Sequence, residues 1–230
     1  MNVLALETSC EHASVALLSG GQIVERRLDG HANHSEHILA CIGALLAEAG
    51  LRPAALDAIA FGNGPGAFTG LRLSCGIAQG LALGAGLGVA PVCSLDALAL
   101  QGEGAQVVVA TDARMGEIYH CAYRLDGGVP QALGAIACSP PEAALLPEDG
   151  LWCGVGSAFA AYRDTLRQRW GARLTHCFDG RYPRAADVAR LAGTAVAAGA
   201  LLAPELALPR YVRDKVALTT AERLARGGKA

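Results

Sequence analysis

Two short acidic strings each end an apolar, strand-like run. Leu6-Glu7-Thr8-Ser9 closes the run at 3–6, and Thr111-Asp112-Ala113-Arg114 closes the run at 107–110. Carboxylates at two equivalent strand ends would face one cleft, and phosphotransferases built on that plan use such pairs to hold metal and phosphate. The alternative is a turn-capping carboxylate and a structural aspartate, and the strings alone do not choose. Gly62-Asn63-Gly64-Pro65-Gly66-Ala67-Phe68-Thr69-Gly70 joins a strand to a helix start, where backbone N–H groups can bind an anion. Glycine-rich joints also occur where chains simply pack closely. His31, His34 and His37 are three apart, which spreads them over about 120° of a helix, poorly for one metal. Polar entry to a helix is the favoured reading. The chain contains no HExxH, no GxSxG and no Gly-Lys-Ser/Thr, so zinc-protease, nucleophile-elbow and P-loop chemistry are not expected.

Bringing the two acidic strings together requires strands that end side by side, and the pattern supplies two similar series. The first predicts strands at 3–6, 13–18 and 23–28, then a helix capped by Asn33 or Ser35 and ended by Gly50. A strand at 57–62 follows, then a helix capped by Thr69 to about Gly84, a strand at 89–93 and a short helix capped by Ser94. The second predicts strands at 107–110, 117–125 and 129–137 and a short helix opened by Pro140-Pro141. After it come a strand at 151–154, a helix from Ser157 to about Trp170, a strand at 174–178 and an alanine-rich helix at 185–202. Both series read β-β-β-α-β-α-β-α, a duplication of element order without a residue-level repeat. An α/β fold of two lobes is expected, 1–102 and 103–230, with the last segment able to return to the first lobe.

The two helices of the first lobe carry the most information. Residues 35–49 are charged only at Glu36 and Glu48, and residues 70–84 only at Arg72. A helix lying on a sheet should show one apolar stripe, yet these are apolar nearly all round. Gly76, Gly80 and Gly84 recur at four-residue spacing, which permits a close helix approach. The chain is short of material to cover both helices, so a protein–protein interface is expected. The few polar groups should mark its side: Arg72 and Gln79 share a face with Cys75 and Leu83, and His37, Cys41 and Glu48 point outward with Leu45 on the flank.

Composition narrows the class further. The chain has 230 residues, 52% hydrophobic and 17% charged, which excludes disorder. A net charge of −2 argues against a general nucleic-acid binder. The charge is divided, however. Residues 1–150 carry 6 basic and 15 acidic side chains (net −9), and residues 151–230 carry 13 and 6 (net +7). Solvated arginine faces are favoured over RNA binding because no aromatic residues are interleaved with them. Eight cysteines lie at least 15 residues apart, mostly in apolar runs, so they read as buried thiols of a reducing cytoplasm. No leader is expected before the strand that follows Met1. The uncharged stretch 73–95 holds five glycines and Pro91 and reads as a helix then a strand, not a membrane span.

Leu4-Ala5-Leu6-Glu7-Thr8-Ser9, the string from Phe61 through Gly-Pro-Gly to Arg72, Gly76-Ile77-Ala78-Gln79-Gly80 and Asp112-Ala113-Arg114-Met115-Gly116-Glu117 together resemble the TsaB (YeaZ) family. The resemblance is densest over 1–125; the C-terminal third matches loosely, best at Tyr211-Val212-Arg213. It implies a two-lobed actin/hexokinase-like (ribonuclease-H-like) fold with duplicated β-β-β-α-β-α lobes and mixed sheets. It also implies a cytoplasmic, non-catalytic accessory subunit in forming N6-threonylcarbamoyladenosine in tRNA, next to the anticodon. The implied partners are TsaD as a heterodimer, TsaE in a ternary complex, tRNA only indirectly, and a second copy when the chain is alone. No catalytic residue, metal or cofactor is implied, with ATP or ADP binding possible only in the complex. The family contact uses the first-lobe helices, which makes His37, Cys41, Leu45, Arg72, Cys75, Gln79 and Leu83 the expected partner-binding residues. Glu7, Thr8, Ser9, Asp112 and Arg114 would be a vestigial nucleotide cleft.

The related catalytic subunit TsaD carries a His-x-x-x-His metal motif after the strand equivalent to 89–93, where this chain reads Cys93-Ser94-Leu95-Asp96. Two other readings stand beside the accessory subunit. One is an active kinase-like phosphotransferase or metal-dependent acyltransferase in which Glu7, Asp112, Gly154 and Gly156 touch nucleotide. The other is a self-associating scaffold without a role in tRNA.

Overall fold

The structure is a computed structural model and describes residues 1–28, 34–147 and 149–213. His31 and Asn33 therefore lie outside the described residues. The first sheet contains β1 (Asn2–Glu7), β2 (Ser14–Ser19), β3 (Gln22–Arg27), β4 (Ala58–Gly64) and β5 (Gly88–Cys93) in the order β3-β2-β1-β4-β5. The second contains β6 (Gln106–Asp112), β7 (Ile118–Asp126), β8 (Val129–Ala132), β9 (Ala137–Ser139), β10 (Trp152–Val155) and β11 (Leu174–Phe178). Its main path is β8-β7-β6-β10-β11, the same order strand for strand, with β9 added beside β7. The duplication inferred from element order is thus a duplication of topology: a meander of three strands extended by two parallel ones.

Each sheet is buried where the sequence is continuously apolar. β1 is central and covered on both faces, so Leu4 and Leu6 point one way and Val3 and Ala5 the other. On the Leu4 side lie α1 (His34–Glu48) and α2 (Phe68–Ala85), which contribute Ile38, Ile42, Leu45, Leu46, Ala78 and Ala82 to a core with Ile59 and Phe61. On the Val3 side lies α6 (Ala185–Ala197), with Val188, Ala189 and Ala192 against Ala60 and Ala90. The chain therefore returns from the second sheet to the first. Glu25 of β3 fixes that return, accepting from Arg184 Nη2 (2.6 Å), Arg184 Nε (3.0 Å) and the Ala186 N–H (3.0 Å). Beyond α6, Leu202 pairs with Val89, and residues 204–211 run along α2.

Several local expectations are corrected. The predicted strand 129–137 is two short strands, β8 and β9, each paired with β7. Pro140-Pro141 opens only one 3-10 turn, Pro141–Ala143. The helix predicted from Ser157 breaks at Tyr162 into α4 (Ala158–Ala161) and α5 (Arg163–Trp170). The helix predicted at 185–202 ends at Ala197. Thr69, Ser94 and Ser157 cap no helix with their side chains. The reason is competition: the Ser94 hydroxyl, on α3 (Ser94–Ala99), donates to Glu7, and the Ser157 hydroxyl accepts the Asp112 N–H. All eight cysteines are free thiols.

Candidate functional site

The ends of β1 and β6 and the amino end of α2 open onto one cleft of about 580 Å³ between the two sheets. Ser9, Gly66 and Phe68 line it from the first sheet's side, and Asp112, Tyr119 and Ser157 from the second's. Residues 210–213 form part of its wall and tie the lobes together. The Arg210 N–H donates to the Asn63 carbonyl (2.6 Å), and Arg213 reaches Glu117 (2.6 Å) and the Arg114 carbonyl (3.2 Å).

The carboxylates expected in this cleft are spent on structure. Glu7 is fully buried and does not line it. Its Oε1 accepts the Ser9 N–H (2.6 Å) and its Oε2 accepts the Ser94 hydroxyl (2.8 Å). A Cβ on Gly62 would fall on this carboxylate, so the glycine there makes room for Glu7, not for a ligand. Thr8 is also buried, its hydroxyl donating to the Gly70 carbonyl (2.6 Å). Of the first string only Ser9 lines the cleft, and it is itself 4% exposed. Asp112 does line it, but Oδ1 accepts from the Arg114 N–H (2.8 Å) and the Tyr162 hydroxyl (3.2 Å), while Oδ2 pairs with Arg114 (3.3 Å). Arg114 and Met115 both adopt positive φ (62° and 59°), a strained pair held in place by Arg213. The Gly154-x-Gly156 string makes no cradle: a Cβ on Gly154 would meet the Phe159 ring, and one on Gly156 the Ala110 carbonyl.

Burial raises the Glu7 carboxyl above the ordinary range, against the hydrogen bonds from Ser9 and Ser94 that lower it. A raised folded-state pKa means the native state holds its proton to higher pH than the unfolded chain does. Stability is then lost as pH rises from the ordinary carboxylate range through the raised value. Glu7→Gln is expected to unfold at a higher temperature than the parent at about pH 8, with the gap closing towards about pH 4. Thermal melts across pH check this, and a gap that widens on acidification refutes it.

The second candidate surface is the outer side of α1 and α2, and the structure rearranges the predicted residues. Leu45 is 1% exposed and Cys75 5% exposed; both belong to the core. Cys41 is half-buried against that core, and His37 is exposed. Of Arg72, Cys75 and Gln79, the last two are covered by the chain's own return, while Arg72 stays exposed at its border. The Ala207 carbonyl accepts from Gln79 (3.0 Å) and lies 3.2 Å from the Cys75 sulfur, and Arg72 donates to the Tyr211 hydroxyl (3.1 Å) while lying over Phe68. The polar groups mark where a neighbouring segment needed donors, not where the helix is open. The open face of α2 carries Gly76, Gly80, Leu83 and Gly84. A Cβ added at any of the three glycines would meet nothing within 4 Å among the described residues, and Leu83 is 74% exposed. On α1 the outward residues are Leu39, Ala40, Gly43, Ala44 and Ala47.

Residues 29–219 match a family profile described as TsaD, tRNA N6-adenosine threonylcarbamoyltransferase. The chain is 36% identical to the tRNA threonylcarbamoyladenosine biosynthesis protein TsaB of Escherichia coli, over 94% of this chain and 96% of that one. It is 39% identical to TsaB of Haemophilus influenzae over 70% and 74% of the two chains. Among solved structures, YeaZ from Pseudomonas aeruginosa superposes with a TM-score of 0.84 at 38% identity, covering 91% of this chain and 99% of that chain. A second Pseudomonas aeruginosa structure, described by its similarity to the peptidase YeaZ, gives 0.85 at 37% identity over 92% and 99%.

Proposed function

The chain belongs to the TsaB (YeaZ) family, and from that premise we propose that it is a non-catalytic partner subunit in forming N6-threonylcarbamoyladenosine in tRNA. It docks a TsaD-type subunit, and with it TsaE, through the open face of α1 and α2, and pairs with a second copy through the same face when alone. The observation that carries this is the row Gly76, Gly80 and Gly84. Nothing among the described residues approaches these positions, so their lack of side chains serves no contact among those residues. What a glycine row permits is close approach of another helix. A role in tRNA modification goes with a cytoplasmic setting, and no helix among the described residues is long and apolar enough to cross a membrane.

The kinase-like or acyltransferase alternative needs Glu7, Asp112, Gly154 and Gly156 against a nucleotide. Glu7 is behind Gly62, Asp112 is held by Arg114 and Tyr162, and the space beside both glycines is filled. These residues do not fit a nucleotide, which favours the accessory reading. Nothing comparable favours a scaffold unconnected with tRNA. The test is reconstitution: tRNA modification by a TsaD-type subunit, TsaE and a supply of threonylcarbamoyl-adenylate, with and without this chain. Modification is expected only with it. Alone, the chain is expected to release no phosphate from ATP and Mg²⁺; robust turnover lost in Asp112→Ala overturns the reading.

A further inference from the structure

We propose that the outer edge of the second sheet, where α5 meets β11, is a surface that contacts the RNA backbone directly. The inference rests on the tRNA reading above and adds a contact that reading does not contain. Between residues 163 and 181 the sequence has five arginines against two aspartates. The fold divides them between tethers and an open edge. Arg163 and Arg167 stand about one turn apart on α5, about 6 Å along the axis, and border a groove of about 310 Å³ with His176 of β11. The helix that presents them is rigidly seated. Leu166 and Trp170 are buried, the Arg169 Nε donates to the Ala144 carbonyl (3.0 Å), and Arg173 donates to the Pro147 carbonyl. Arg163 is held by Asp179 (2.5 Å), whereas Arg167 and Arg181 form no ion pair among the described residues.

The strand supplies what the arginines alone lack. β11 is an edge strand, hydrogen-bonded only to β10 among the described residues, and Thr175, His176 and Cys177 are exposed. Residues 176 and 178 lie on one side of the pleat, with ring centroids 5.5 Å apart, and the Arg181 guanidinium lies 5.6 Å over the Phe178 ring. The two flanks of this exposed strand divide the groups: Arg163 and Arg167 stand over the groove on the α5 side, and the Phe178 ring, half-buried against the core with Val155, lies with Arg181 on the other flank. Cations on both flanks of an open strand, with an exposed histidine ring between them, suit a single-stranded or loop RNA backbone lying along the edge: cations for phosphate, a flat face for a base. Aromatics do interleave the arginines here, at Trp170, Phe178 and Tyr182, but Trp170 is buried and Tyr182 packs on His12, which leaves His176 and Phe178, with Arg181, at the edge. An acidic protein would match the charge but has no use for the rings. The surface also lies on the opposite lobe from α1 and α2, so RNA contact and partner docking do not compete.

The test uses the complete reconstituted complex and an unmodified tRNA transcript, with binding measured across a salt titration. Arg167→Ala and Arg181→Ala are each expected to weaken binding several-fold and to lower the slope of log affinity against log salt by about 1. Arg124→Ala, an exposed arginine on β7 with the same charge change, is expected to leave both unchanged. Unchanged slopes in the first two variants overturn the proposal, as does an equal loss in all three, which would be net charge and not a surface. Loss of complex assembly with RNA binding intact would assign the edge to a protein contact and also overturn it. Failure of the parent chain to assemble or support modification would instead overturn the accessory reading itself.

Discussion

Gly80→Glu is expected to leave the isolated chain as stable as the parent, or slightly more so, and to abolish its complex with a TsaD-type subunit. The two halves of that result come from one fact: position 80 faces open space in the monomer. A glycine inside a helix costs roughly 0.5–1 kcal/mol relative to alanine because it loses the most backbone freedom on folding. α2 places Gly76, Gly80 and Gly84 on its outward side with no neighbour among the described residues to justify them. Within this chain alone, Gly76→Ala and Gly80→Ala should therefore raise the melting temperature, by about 2–4 °C per kcal/mol for a protein of this size. In the complex they should act the other way, because a methyl group holds two helix backbones apart. Glutamate at position 80 would add a charge desolvated without a partner, on the order of several kcal/mol, or at least a hundredfold in affinity. Melting curves and size-exclusion chromatography of the mixture read both arms. A Gly80→Glu variant that still forms the complex would place the contact elsewhere.

The frame of the fold was legible in the sequence and the facing of its helices was not. β1, β4 and β6 are short, continuously apolar runs closed by Glu7, the glycine-rich string and Asp112, and strand ends of that kind can be read locally. The same-order sheets follow from two similar series of elements. What local pattern does not carry is the return of residues 185–213 to the first lobe, a contact made across more than a hundred residues. Without that segment, Arg72, Cys75 and Gln79 look like the exposed side of α2. With it, Cys75 and Gln79 are covered, Arg72 stays exposed at the border, and the helix is open along Gly76, Gly80 and Gly84. The cleft behaves alike. Glu7 and Asp112 sit where a phosphotransferase would keep its carboxylates, but only the positions of Ser94, Gly62 and Tyr162 show that both are occupied. The string Tyr211-Val212-Arg213 stood out in sequence as a family fragment, yet its role in tying the lobes could not be read from spacing.

Leu45→Glu separates the two faces of α1 most sharply, and its expected effect is on folding, not on docking. Leu45 is 1% exposed and packs in the core beneath the helix with Ile38, Ile42 and Leu46. Truncating such a leucine to alanine costs about 2–5 kcal/mol through lost transfer energy and the cavity left behind. Placing a carboxylate there adds the burial of an unpaired charge, and the sum approaches the whole of a domain's stability, about 5–15 kcal/mol. Cys75→Glu, 5% exposed against the Ala207 carbonyl, should behave similarly. Both variants are expected to be insoluble or to lack a cooperative melt, so their failure to bind a partner would say nothing about an interface. Leu39→Glu is the informative counterpart: Leu39 is 57% exposed on the open side of the same helix. It should melt like the parent and lose the complex, as Gly80→Glu does on α2. Circular dichroism and complex formation, measured together on Leu39→Glu and Leu45→Glu, decide which side of α1 is core. A folded Leu45→Glu, or an unfolded Leu39→Glu, would invert the assignment of both helices.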